Sequence, residues 1–227
     1  MTEEFMGQTI TFKRPDGTDC KGYLAGPAGN DKAPGIVVIQ EWWGLNDQIK
    51  GVADRFASLG YRALVPDLYK GKVTLDTAEA NHLMTNLNFA DAATQDIRGA
   101  AQYLRQTSVK VGVVGFCMGG ALTLVAAMYV PEGDAYSSWY GFPPDEAGDV
   151  TTIRKPLQLH LAENDQAFSP EKARALEVKL REGKVPFESY WYKAGHAFFN
   201  ETGATYNAEY AKLAWERTTN FFAKHLK

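Results

Sequence analysis

The chain has 227 residues, 45 % of them hydrophobic and 22 % charged. That balance excludes disordered, collagen-like and coiled-coil chains and suits one α/β unit of about 200–250 residues. Lys plus Arg is 24 against 27 Asp plus Glu, a formal charge of −3, so no global field draws the chain to nucleic acid or to an anionic membrane.

Two cysteines are too few for a disulfide scaffold and point to a reducing, cytoplasmic setting. The acidic opening Met1-Thr2-Glu3-Glu4-Phe5 predicts no signal peptide. The longest apolar stretch, around 121–130, falls far short of the ~20 residues a membrane helix needs. With no repeat or low-complexity tract, 1–227 reads as one domain. Gly26-Pro27-Ala28-Gly29-Asn30-Asp31 and Gly141-Phe142-Pro143-Pro144-Asp145 read as turns within it.

In chain order, 8–13 alternates weakly and pairs with 19–25 as a hairpin around Asp16-Gly17. Gly35-Ile36-Val37-Val38-Ile39 is a short unbroken apolar run. The segment 47–59 carries Ile49, Val52, Ala53, Phe56 and Leu59 at helical spacing, and Gly60 stops it. A strand at 62–65 precedes helices at 74–88 and 90–105. The apolar run 111–114 leads into a helix at 121–129 that is hydrophobic nearly all round, and so buried. Strands at 135–140 and 157–162, a helix at 170–182, a strand at 187–192 and a helix at 205–225 complete the chain. Unbroken apolar strands imply burial on both faces, and strand–helix alternation after residue 35 implies a doubly wound, mostly parallel sheet with an N-terminal antiparallel hairpin.

The sharpest chemical signal is Gly115-Phe116-Cys117-Met118-Gly119-Gly120, between an apolar strand and the buried helix. That is the context of a nucleophile elbow. Its turn strains the backbone at the nucleophile, and side chains two positions either side would collide with neighbouring elements. The helix start offers unpaired N–H groups and a positive dipole end to a thiolate and to an oxyanion. A lone cysteine is more often simply buried, and Cys20, which lacks any glycine context, is read that way. No Gly-Lys-Ser/Thr follows Cys117, so a phosphate loop is a poor competitor.

An elbow needs an acid and then a histidine later in the chain. His196 follows the strand at 187–192 on a loop, at the strand end where α/β sites lie. His82 and His225 lie in polar helices, and His160 lies within a strand as a packed core residue. After the strand at 157–162, Glu163 and Asp165 compete for the acid, and Asp165 is the better choice. The strand 35–39 ends beside the elbow, so the N–H groups of Trp42 and Met118 are expected to form an oxyanion hole. Glu41, leaving an apolar strand, needs a partner or a function.

These residues carry a resemblance. Gln40-Glu41-Trp42-Trp43-Gly44-Leu45-Asn46, Pro66-Asp67-Leu68-Tyr69, the Cys117 elbow, Asp165 and Ala194-Gly195-His196-Ala197-Phe198 resemble the dienelactone hydrolase (carboxymethylenebutenolidase) family of α/β-hydrolases. The resemblance implies the α/β-hydrolase fold and a Cys117–His196–Asp165 triad. It also implies that Glu41 holds the resting thiol and takes part in its activation. Trp43, Tyr69, Phe198 and Asn200 are the expected pocket residues. One departure stands out: family members acting on dienelactone hold its carboxylate with arginines, one of them four residues after the histidine. Here that residue is Asn200, and after Tyr69 come Lys70 and Lys72. A neutral ester or lactone is therefore as good an expectation as the anionic dienelactone.

The expected chemistry is acyl transfer to Cys117 and hydrolysis of the thioester, with no metal or organic cofactor. The expected partner is a small-molecule ester or lactone, with no nucleic acid and no membrane, on a monomer or small homo-oligomer. The rival readings are a ligand-binding protein and a thiol redox sensor on the same scaffold.

Overall fold

The computed structural model describes residues 7–27 and 32–227. The Met1–Phe5 opening and the last four residues of the first predicted turn, 28–31, lie outside the described residues. Strand β1 (Gln8–Lys13) and β2 (Asp19–Ala25) form an antiparallel hairpin with Phe12 opposite Cys20. Gly17 adopts φ +85° in its turn, and the Asp16 carboxylate accepts the Thr18 N–H at 2.9 Å. That local bond is the usual reason Asp favours turns.

The remaining strands are β3 (Gly35–Ile39), β4 (Arg62–Pro66), β5 (Val111–Phe116), β6 (Ala135–Trp139), β7 (Leu157–Asn164) and β8 (Phe187–Gly195). They join the hairpin in one eight-stranded sheet, order β1-β2-β4-β3-β5-β6-β7-β8. Strands β3 to β8 pair in parallel, and β2 meets β4 antiparallel. Every residue of β3, β5 and β6 is buried, which is why β3 and β5 read as unbroken apolar runs rather than alternating ones; in β6 the buried Ser137 and Ser138 hydroxyls are hydrogen-bonded.

Helix α1 (Asp47–Ser58) starts at an N-cap, Asn46, whose side chain accepts the Ile49 N–H at 3.1 Å. It buries Ile49, Val52, Ala53 and Phe56. Helix α2 (Thr77–Thr85) is shorter than 74–88, because Asp76 caps it. The segment read as one helix over 90–105 is α3 (Phe89–Asp91), a π-helical turn (Ala92–Ile97) and α4 (Arg98–Arg105). Helix α5 (Met118–Tyr129) begins earlier than 121, directly after Cys117. Gly119 and Gly120 lie inside it, where their lack of a side chain allows close packing on the sheet. Helix α6 (Pro170–Glu182) carries Pro in its first turn and Ser169 as cap. Helix α7 (Ala208–Leu226) starts after the Asn207 cap rather than at 205.

Strands β7 and β8 run on to Asn164 and Gly195, past the ends expected at 162 and 192. Asp165 and His196 thus leave the sheet directly at neighbouring strand ends. Among the described residues, no helix is long and apolar enough to cross a membrane.

Candidate active site

Cys117 joins β5 to α5 at φ 56° and ψ −118°, a region that costs a non-glycine residue roughly 1–3 kcal/mol. The packing explains the glycines on either side. A Cβ on Gly115 would lie 2.1 Å from the Gly119 carbonyl oxygen, and one on Gly119 would lie 2.5 Å from that of Ile39. The Cys117 N–H donates to the Trp139 carbonyl at 3.0 Å, and its own carbonyl accepts the Ala121 N–H at 3.1 Å. The turn is therefore pinned on both sides, and the side chain is aimed by its backbone.

The Cys117 Sγ lies 3.1 Å from His196 Nε2. On the far side of the ring, Nδ1 lies 3.0 Å from Asp165 Oδ2. The other Asp165 oxygen accepts the N–H groups of Ala167 and Phe168, both at 2.8 Å, so the carboxylate cannot turn. With Nδ1–H donating to Asp165, Nε2 is left to face the sulfur. Burial alone would push His196 down, but its bonds to Asp165 and Cys117, together with their charges, outweigh burial and raise its pKa to about 10. Phe168 stacks on the imidazole at 5.5 Å and Tyr140 meets it edge-on at 5.3 Å.

The first N–H groups of a helix have no intrahelical acceptor, and Met118 opens α5. Gly119 packs against the Ile39 and Gln40 carbonyls, which brings the residues after β3 beside the start of α5. The Tyr69 hydroxyl donates to the Met118 sulfur at 3.2 Å.

Glu41 is 4 % exposed. One of its oxygens accepts the Tyr140 hydroxyl at 3.1 Å and the other accepts the Asn200 amide at 2.7 Å. The resting thiol does not bond to it, contrary to the expectation from the resemblance: two neutral donors occupy the carboxylate and the sulfur faces His196. Burial raises the Glu41 pKa, and the Asn200 bond, the His196 charge and the Tyr140 bond offset only part of that. Burial, with the nearby Glu41 and Cys117 charges, holds Tyr140 well above its ordinary value, so it stays a phenol able to donate.

Residues 20–226 match the dienelactone hydrolase family. The chain belongs to that family. Protein usf of Aquifex pyrophilus is 34 % identical over 97 % of this chain and 100 % of its own. The carboxymethylenebutenolidase of Pseudomonas putida is 31 % identical over 89 % of this chain and 90 % of its own. The crystal structure of a candidate dienelactone hydrolase from Klebsiella pneumoniae superposes with a TM-score of 0.85 at 25 % identity, covering 96 % of this chain and 99 % of that one. The chain has the α/β-hydrolase fold of the dienelactone hydrolase family and is a carboxylic ester hydrolase.

Within this dienelactone hydrolase fold the expected pocket residues have different surroundings. Trp43 is half-buried and meets Trp42 edge-on at 5.0 Å. Tyr69 is buried beside Met118. Asn200 is spent on Glu41, and its carboxamide oxygen accepts the Thr202 N–H at 3.0 Å. Phe198 is fully buried against Tyr192 at 4.9 Å and Tyr140 at 5.4 Å; it is core, because the turn after His196 sends its ring inward. His160 is also core: Nδ1 contacts the Tyr192 hydroxyl and Nε2 contacts Gln158 and Thr218.

Sequence reasoning missed Tyr140 and Phe168. Tyr140 stands at the C-terminal end of β6 with a positive φ of 38°. Its place at a strand's C-terminal end just before Gly141 was a usable signal, since α/β sites collect there. Phe168 carried no such signal.

Proposed function

We propose that the chain hydrolyses an ester or enol-lactone through a thioester on Cys117. One observation carries this reading: a sulfur at the head of α5, bonded through His196 to Asp165. His196 holds the proton given up by Cys117 as the sulfur attacks the carbonyl carbon. An S–C bond forms, and the carbonyl oxygen becomes an oxyanion received by the N–H groups of Trp42 and Met118. Collapse breaks the C–O bond, and His196 returns the proton to the leaving oxygen. A water molecule, giving its proton to the same imidazole, then attacks the thioester. Its S–C bond breaks, releasing the acid and restoring the thiol. Glu41, buried near the imidazole, is assigned as a second proton-handling group whose position Tyr140 and Asn200 fix. Both thiols are free, in keeping with a cytoplasmic location.

The test is an activated aryl ester mixed with the protein and followed by intact mass. The expected result is an acyl adduct on the peptide carrying Cys117, and loss of adduct and turnover in Cys117→Ala. Cys117→Ser should retain little activity, because a hydroxyl ionises far less readily than a thiol. Full activity of Cys117→Ala would overturn the reading.

A further inference from the structure

His196 is bonded at both ends of its ring, with Nε2 3.1 Å from the Cys117 sulfur and Nδ1 3.0 Å from Asp165. Hydrogen bonds to imidazole nitrogens lie near the ring plane. They set the distance to each partner but resist tilting about the line between them only weakly. A contact on the face of the ring is what opposes that tilt. In the proposed reaction Nε2 must meet the sulfur, the leaving oxygen and a water molecule in turn, so its aim counts.

Phe168 supplies the face contact. Its ring centroid lies 5.5 Å from that of the imidazole with the planes 29° apart, an offset stack. The N–H of the same residue donates to the Asp165 carboxylate at 2.8 Å. One residue thus touches the acid through its backbone and the base through its side chain. Phe142 backs the ring edge-on at 5.3 Å.

Core packing does not account for this ring. Phe168 is only half-buried. With Phe142 it borders a cleft of about 930 Å³ between the 142–150 segment and α6. A phenyl ring there gains less from burial than Phe198 and Phe199, which lie in the core.

A cation within about 6 Å of an aromatic face is attracted to it. We infer that Phe168 is a positioning residue: its ring holds the imidazole in the plane that serves Cys117 and favours the imidazolium over the neutral ring. The inference rests on the proposed hydrolase reading and adds a residue to it. The charged groups acting on His196 are Asp165 after β7, Cys117 at the head of α5 and Glu41 after β3. A change at Phe168 leaves all three in place.

The test is Phe168→Leu, which removes the ring and keeps the backbone N–H. Turnover of an aryl acetate and the His196 titration, followed by NMR of its ring, are measured together. The expected kcat falls about tenfold with KM nearly unchanged, and His196 titrates about half a pH unit lower. Phe168→Tyr, which keeps the ring, should recover most of both. Phe168→Met, flexible and ringless, repeats the test if the leucine variant does not fold. Wild-type kcat with an unmoved titration would overturn the inference. So would a lowered thermal midpoint with an unmoved titration, which would make the ring structural. Absence of acetate turnover by the wild type, with Cys117 still open to alkylation, would overturn the hydrolase reading; the His196 titration would then still decide whether the ring holds the imidazole.

Discussion

The Asn200 amide donates to the Glu41 carboxylate at 2.7 Å, across 159 positions of chain. With the Tyr140 hydroxyl on the other oxygen, the carboxylate is hydrogen-bonded by two neutral donors, with the His196 charge nearby. A buried carboxyl so placed is either structural or poised to take a proton.

Glu41→Gln separates these. It preserves the shape and one acceptor oxygen but removes the proton acceptor. The expected result is a loss of ester kcat/KM on the order of 10²-fold, with the thermal midpoint nearly unchanged. A large fall in midpoint beside near-normal hydrolysis would assign Glu41 to structure.

The pairing of the sulfur with His196 at 3.1 Å makes the free protein reactive before any substrate arrives. Iodoacetamide at neutral pH should add one carbamidomethyl group, at Cys117, and abolish hydrolysis. Cys20 should stay unmodified, because desolvation, with nearby Asp96, pushes its pKa up to about 12 and no histidine faces its sulfur among the described hydrogen bonds. Peptide mapping reads both outcomes. Equal labelling of the two thiols would contradict the assignment.

His196→Ala and Asp165→Asn should each slow turnover by about 10²–10⁴-fold, His196 more severely, and the double variant should lose less than the product. A linked stability effect accompanies this. His196 is raised to about 10 in the fold against about 6.5 unfolded. Its contribution is complete below about pH 6.5 and is lost as pH rises through about 10. The thermal midpoint should therefore fall more steeply between neutral and strongly alkaline pH in the wild type than in Asp165→Asn.

His160 gives the opposite sign. Burial, then the Arg217 charge, holds its pKa well below the ordinary value, so it is neutral when folded and takes up a proton only on unfolding. Stability should fall as pH drops below about 6.5, approaching ~1.4 kcal/mol per unit from this residue. Denaturant titrations at two acidic pH values, repeated on His160→Gln, should show a shallower slope in the variant. An identical slope would mean that His160 does not carry the effect.

Much of this was legible in the residues. Burial on both faces wrote β3 and β5 as unbroken apolar runs, and the demand for a Cβ-free approach wrote Gly115 and Gly119 around Cys117. Asp165 and His196 were readable because each follows a strand. What was not legible is how distant segments meet. Nothing local to Asn200 says that its amide reaches Glu41, or that the 142–150 segment and α6 enclose a cleft. The inward turn of Phe198 depends on backbone direction after His196, where Ala197 takes φ 59°, and an apolar residue reads the same facing either way.

The left-handed backbone at Cys117, φ 56°, divides the freedom of this scaffold unevenly. A side chain there must tolerate that conformation, which shuts out β-branched residues such as threonine and valine. Cysteine and serine are near-isosteric and both unbranched, so the nucleophilic atom can be exchanged without rebuilding the turn. The 142–150 segment, by contrast, meets the elbow through Gly141 and holds none of the Cys117–His196–Asp165 groups, so it can vary in length and charge around a fixed reacting centre. A lineage built on this frame can therefore drift in what it accepts far more readily than in how it reacts.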